Sequence, residues 1–233
     1  MDTNRFFAIY DSVPAAYYRW MTDLVLPHVR GRVLELGTGP GIVTRHLLEA
    51  GFAVTGVDRS RDICRHAEQA FSGHTDFTMV CEDLEHADPG RFPGAPFGAI
   101  VCLNLLEHIK DDTGLLERCR KALEPGGRVI VLVPAHPRLF GPMDEAFGHF
   151  RRYARRGLVR TMENAGFSVT TRYFNLLGLP GWWWRFRVRR ARSFDPAQNR
   201  VYSMLLPVIR RAEAVLPPPV GLSILAVGTG RGA

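Results

Sequence analysis

The run Val33-Leu34-Glu35-Leu36-Gly37-Thr38-Gly39-Pro40-Gly41 places an apolar segment of strand length directly before a glycine-rich turn and the start of a helix. Glycine has a physical purpose there. Without a Cβ the turn adopts positive φ and lets backbone approach a ligand, and the helix that follows presents N–H groups unpartnered within it. Seventeen residues after Gly41, Asp58 closes the next apolar run. In doubly wound sheets ligands lie across the carboxyl ends of the strands, where an acid at the second tip accepts both hydroxyls of a ribose. Cys81-Glu82-Asp83-Leu84 ends the third run with acids able to reach an adenine amino group. A second reactive group follows the fifth run: His136, then Asp144, His149, Arg152 and Tyr153. Imidazoles titrate near neutrality, so His149 and His136 can take a proton, with Asp144 orienting a ring. Equally, His149 and Arg152 can serve only to pin their loop. His108, after the fourth run, either borders the same site or opens a helix.

Positioning these residues requires a parallel sheet. Apolar runs at Arg32–Leu36, Ala53–Val57, Asp76–Val80, Ala99–Leu103 and Arg128–Val133 alternate with amphipathic segments starting near Gly41, Ser60 and Asp112. That alternation predicts strands covered by helices on both faces. Leu123-Glu124-Pro125-Gly126-Gly127 stops the last of these helices and launches the fifth strand. Beyond Val133 the pattern predicts a helix over Arg155–Ala165, a strand over Phe167–Phe174, a Trp- and Arg-rich insertion at Leu176–Arg192, a helix around Val201–Leu216 and a strand from Leu222 to Val227.

Composition bounds the rest. The chain has 233 residues, 46% of them apolar, enough for one α/β domain with additions. Its four cysteines are scattered without a CxxC pair or a Cys/His cluster, so neither a metal site nor a disulfide framework is expected and a cytoplasmic setting fits. No secretory signal or membrane-spanning run is read from it. The net charge of +7 is concentrated: Arg151 to Arg211 carries 14 arginines against only Glu163 and Asp195. Such a segment attracts phosphates, nucleic acid or anionic lipid, or simply forms a solvated face.

Taken in order, the glycine turn, Asp58, Asp83, the strand ending in Asn104 and the LEPGG stop resemble the class I S-adenosylmethionine-dependent methyltransferases over roughly Arg30 to Val133. The resemblance implies a Rossmann-like, doubly wound sheet of seven mostly parallel strands, the last antiparallel. Residues 1–30 would form lid and covering helices, 31–133 the cofactor-binding core, and 134–233 the acceptor-side loops, the insertion 176–216 and the final strands. It implies that Gly37, Thr38, Gly39 and Gly41 cradle the methionine moiety with Glu35 in support, that Asp58 with Arg59 holds the ribose, that Asp83 and Leu84 bind adenine, and that Asn104 offers its carbonyl to the ammonium. S-adenosylmethionine would leave as S-adenosyl-L-homocysteine. Asp144 to Tyr153 resembles the D-x-x-x-G-H-x-R-R-Y element of many small bacterial members, on the edge facing the acceptor. Tyr10, Tyr17 and Trp20 resemble aromatic lid residues and also suit plain packing.

The expected activity is methyl transfer to an O, N or C atom of a small molecule, hydrophobic ones included, in secondary or lipid-linked metabolism. Trp182, with Trp183 and Trp184 beside it, suits a hydrophobic acceptor, an anionic membrane surface or a dimer interface, since three adjacent Trp cannot all enter one core. The chain is read as monomer or homodimer. Three other readings share some of these features. An RNA methyltransferase draws on the arginine bias, but no RRM-type aromatic motif appears. A cofactor-binding protein without turnover would keep the same pocket. A nicotinamide oxidoreductase needs G-x-G-x-x-G, and here the third glycine follows after one residue.

Overall fold

The computed structural model describes residues 13–191 and 196–230. Its strands are β1 Val33–Leu36, β2 Val54–Asp58, β3 Phe77–Cys81, β4 Phe97–Leu103, β5 Leu123–Pro134, β6 Phe167–Phe174 and β7 Ser223–Gly230. They form one sheet in the order β3-β2-β1-β4-β5-β7-β6. β1 to β5 pair in parallel, and β7 is antiparallel to both β5 and β6. The helices are α1 Ala15–Val25, α2 Ile42–Glu49, α3 Arg61–Ala70, α4 Asp112–Ala122, α5 Pro142–Phe147, α6 Arg155–Asn164, α7 Gly178–Trp182 and α8 Pro196–Val215.

Strands covered on both sides read as continuous apolar runs, and pleating divides their residues between two cores. Leu34, Leu36, Ile100, Cys102, Val129 and Val131 meet α4 and α6 through Leu115, Cys119, Leu158 and Met162. Val33, Ala99, Val101, Ile130 and Leu132 meet α1, α2 and α8 through Trp20, Met21, Leu47, Leu206 and Ile209. The sheet order reverses between β1 and β4, which opens a crevice at their carboxyl ends.

Two features differ from the sequence expectation. β5 begins at Leu123 rather than Arg128, because Phe97 of β4 pairs with Leu123 and the ladder then shifts register past Pro125-Gly126-Gly127. The region 176–216 is more than an elaboration, since α8 covers the sheet and buries Leu206 and Ile209 in the same core as α1. Among the described residues no helix is long and apolar enough to cross a membrane.

Candidate functional site

At the carboxyl end of β1 the chain turns through Gly37, Gly39 and Gly41 with φ of 74°, 53° and 76°. These values belong to the left-handed region that favours glycine. A Cβ on Gly37 would stand 2.9 Å from Leu105 Cδ1, and one on Gly41 would stand 2.6 Å from the Phe71 ring. At Gly41 in particular the protein's own packing leaves no room for a side chain, whatever the ligand. The Gly37 and Thr38 N–H groups donate to the Val57 carbonyl at 2.8 and 3.0 Å, which ties the turn to β2. α2 starts directly after Gly41 with no side-chain cap, leaving the positive end of its dipole toward the turn. Glu35 is buried beneath it and accepts from the Thr44 hydroxyl. Burial pushes its carboxyl up to about 8, against the opposing pull of that bond.

Asp58 ends β2, where Oδ2 accepts from the Gly39 N–H at 3.2 Å and Oδ1 from the Ser60 N–H at 3.0 Å. Burial raises its pKa, and these two bonds pull the other way. Arg59 beside it is exposed. Asp83 is exposed beyond β3 and accepts from the Glu85 N–H in a local turn, whereas the Leu84 side chain is buried in the core and its carbonyl accepts from Arg118. Asn104 follows β4 with φ of 51°, its N–H donating to the Leu132 carbonyl and its side-chain amide lying 3.7 Å from Met21 Sδ.

Tyr18, Met21, Glu35, Thr38, Pro40 and Asn104 help to line a cavity of only about 30 Å³. Pockets for small organic ligands run to several hundred Å³, so the cavity in this conformation is smaller than such a ligand needs. The aromatics of α1 divide between the cavity and the core. Tyr18 and Met21 face the cavity, while Trp20 is buried against the Phe174 ring at 4.4 Å and Tyr17 packs between Trp20, Phe174 and Tyr202. Burial pushes the Tyr17 phenol up to about 12. A helix turns 100° per residue, so adjacent aromatics look in different directions, and a one-residue error changes the role. Tyr10 lies outside the described residues.

On the acceptor edge, Asp144 of α5 is buried and gathers three partners. His149 Nδ1 is 2.9 Å from Oδ1, Arg152 Nε donates to Oδ1 at 2.7 Å, and the Gly141 N–H donates to Oδ2 at 3.0 Å. Burial alone would raise the Asp144 pKa, but the His149 bond and the Arg152 charge bring it below the usual value. The His108 ring stands edge-on to His149, 4.7 Å away. Burial first, and the charge of His149 second, lower the His108 pKa to about 4.

The expected site residues thus separate into two groups. His149, His108 and Asp144 come together; His136 does not. Its Nε2 lies 3.0 Å from the Gly221 carbonyl, its ring stacks on Tyr173, and no hydrogen bond or ring contact joins it to the Asp144 cluster. Arg152 is buried beneath the Trp182 ring at 4.7 Å and Tyr153 bonds Asp112 Oδ2 at 2.7 Å, so these three hold the loop together. Glu107 is a residue that sequence reasoning misses: it is fully buried, and desolvation raises its pKa to about 8. A carboxylate on a loop after an apolar strand was the available signal, but an acid there is usually exposed.

A family model described as a methyltransferase domain matches residues 13–172. The ubiquinone biosynthesis O-methyltransferase of Xylella fastidiosa (strain 9a5c) is 34% identical over 110 residues, 46% of this chain and 43% of that protein. The protein of the same name from Thiobacillus denitrificans is 30% identical over 132 residues, 55% of this chain and 54% of its own length. This chain thus spans about half the length of these relatives. An S-adenosylmethionine-dependent methyltransferase from Mesorhizobium loti shares the fold, with a TM-score of 0.63 at 18% identity, over 90% of this chain and 95% of that one.

Proposed function

The chain belongs to the methyltransferase domain family, and from that premise we propose that it transfers a methyl group from S-adenosylmethionine to a small apolar acceptor. The observation that carries this reading is the turn of three positive-φ glycines braced by the Asp58 carboxylate at the β1–β4 switch point. The turn and the α2 N-terminus would hold the methionine end, Asp58 with Arg59 the ribose, and Asp83 with the Leu84 backbone the adenine. Asn104, turned out of β4 by its positive φ, would offer its carbonyl to the ammonium. Tyr18 and Met21 would close over the bound molecule.

When bound, S-adenosylmethionine supplies a methyl on a sulfonium that departs as a neutral thioether. The protein's part is therefore mainly alignment, with an acceptor atom held about 3 Å from the methyl and in line with its bond to sulfur. For an acceptor that must lose a proton, His149 would receive it: Asp144 fixes Nδ1 and leaves Nε2 without a hydrogen bond, 3.9 Å from Glu107 Oε1. His136 is better read as a brace between β6 and the loop that enters β7.

Titration calorimetry tests the cofactor assignment. S-adenosylmethionine and its demethylated product are expected to bind with micromolar affinity, and NAD is not. NAD binding without S-adenosylmethionine binding would overturn it.

RNA methyl transfer is the second reading, supported by a groove lined by Arg155, Arg156 and Arg160. It ranks second because that groove lies on α6 and the edge strand β6, with three strands between it and β1.

Contact with an anionic membrane surface is part of the proposal. Val201, Met204, Leu205 and Val208 recur at helical spacing on α8 and are 58%, 74%, 50% and 68% exposed. Trp183 and Trp184 are half-exposed beside Arg189 and Arg190. Apolar and basic groups in this combination suit the boundary of an anionic bilayer. Co-sedimentation with phosphatidylglycerol vesicles is expected in dilute buffer and should be lost near 1 M salt, where screening falls to about 3 Å. Replacing Trp183, Trp184, Met204 and Val208 with Ser should abolish it and preserve cofactor affinity. Wild-type protein that stays in the supernatant at low salt would refute the membrane contact.

A further inference from the structure

Glu107 sits on the short turn Leu106–His108 after β4, fully buried, and neither of its carboxyl oxygens has a hydrogen-bond partner among the described residues. Such a group is costly unless something meets it. What faces it are two imidazoles. His149 Nε2 lies 3.9 Å from Glu107 Oε1, and the His108 ring is packed against His149. Both rings are engaged through Nδ1 with oxygen acceptors: His149 with Asp144 Oδ1 at 2.9 Å, and His108 with the Gly148 carbonyl at 3.3 Å. An oxygen acceptor there holds the proton on Nδ1 and leaves each Nε2 with a lone pair. Arg152, the neighbouring cation, is already committed to Asp144 and the Ala135 carbonyl. Apart from the single proton that burial lets Glu107 retain, the cluster presents lone pairs.

We propose that Glu107, His108 and His149 form a binding site for a divalent transition-metal cation of the zinc, cobalt or manganese kind. One ligand atom from each residue lies within 4.8 Å of the other two. Ligands at about 2.0–2.1 Å from a tetrahedral ion stand about 3.4 Å apart, a distance that side-chain rotation reaches. Two nitrogens and one carboxylate oxygen match such ions. Asp144 and the Gly148 carbonyl are the outer partners that orient metal-bound imidazoles in established sites. Both histidines are partly exposed, so a coordination position stays open to a further ligand. Glu107 follows Asn104 by three residues, and Asn104 lines the glycine crevice, so the cluster and the crevice are carried by the same segment after β4. The expectation of no metal came from ligand spacing along the chain, and these residues meet only in the fold.

The catalytic use of this site rests on the methyl-transfer reading. A hydroxyl taken as the further ligand would release its proton to solvent and attack as a metal-held oxyanion, forming the C–O bond as the methyl–sulfur bond breaks. His149 would then serve as a ligand in place of a proton acceptor.

The test needs neither cofactor nor acceptor, so its failure leaves methyl transfer standing. Chelator-treated full-length protein is titrated with Co²⁺ and followed by visible absorption. One equivalent should bind and develop the intense bands of a low-coordinate site, and Zn²⁺ should displace it. His149→Ala and Glu107→Gln should each weaken binding by about 100-fold or more, exceeding the loss from an outer partner alone, while His74→Ala at an exposed histidine should change nothing. The wild-type spectrum decides the matter if a variant fails to fold. A spectrum that stays that of the hydrated ion, or affinity unmoved in both folded variants, overturns the proposal.

Discussion

Asp58→Ala is expected to weaken S-adenosylmethionine binding by about 2 kcal/mol or more, roughly 30-fold, because hydrogen bonds to a charged acceptor are each worth about 1.5–3 kcal/mol. The carboxylate has two tasks in one place. It accepts from the Gly39 and Ser60 N–H groups and so holds the turn against the start of α3, and its remaining lone pairs are those available to a ribose. Alanine removes both. Asp58→Asn separates them, since the amide keeps one acceptor oxygen but presents N–H groups to the other donor. Its loss of affinity should approach that of alanine while its melting temperature stays closer to wild type. Calorimetry gives the affinity and thermal unfolding the stability. Full affinity in a folded Asp58→Ala variant would remove this residue from the cofactor site.

The second large effect is expected at His149. With an acceptor that must lose a proton, His149→Ala should lower kcat about 100-fold or more and leave cofactor affinity nearly unchanged. The argument is geometric: Asp144 holds Nδ1, and Asp144 is held in turn by Arg152 and the Gly141 N–H. The ring is thus oriented before any substrate arrives. His136→Ala supplies the contrast. Its ring bridges the Gly221 carbonyl and Tyr173, so the expected result is a lower melting temperature with kcat per folded molecule largely kept. A His149 variant whose rate loss tracks its loss of stability would show that this histidine only supports the loop.

Much of the architecture was legible because local rules carry it. Parallel strands buried on both faces must read as apolar runs, and β1 to β4 appear within two residues of where those runs were seen. The glycine turn and Asp58 were equally legible, since both sit at fixed offsets from strands they directly follow. The ends of β5 and α8 were not. Leu123 joins β5 only because Phe97 offers it a pairing partner, and α8 begins at Pro196 in a stretch with no apolar period of its own.

The sequence by itself determined the alternation of strands and helices through β5, the glycine turn and the acid beyond it, because each depends on residues close along the chain. Only the tertiary structure decided which aromatic of Tyr17, Tyr18 and Trp20 faces the crevice, since that depends on how α1 is rotated against Phe174 and Tyr202. Only the fold separated His136 from His149, thirteen residues apart, and set His149 against Glu107, forty-two residues earlier. Burial did the rest: it turned Glu107 from an ordinary acid into an unpartnered carboxyl facing two imidazoles, a property of surroundings that no spacing along the chain encodes.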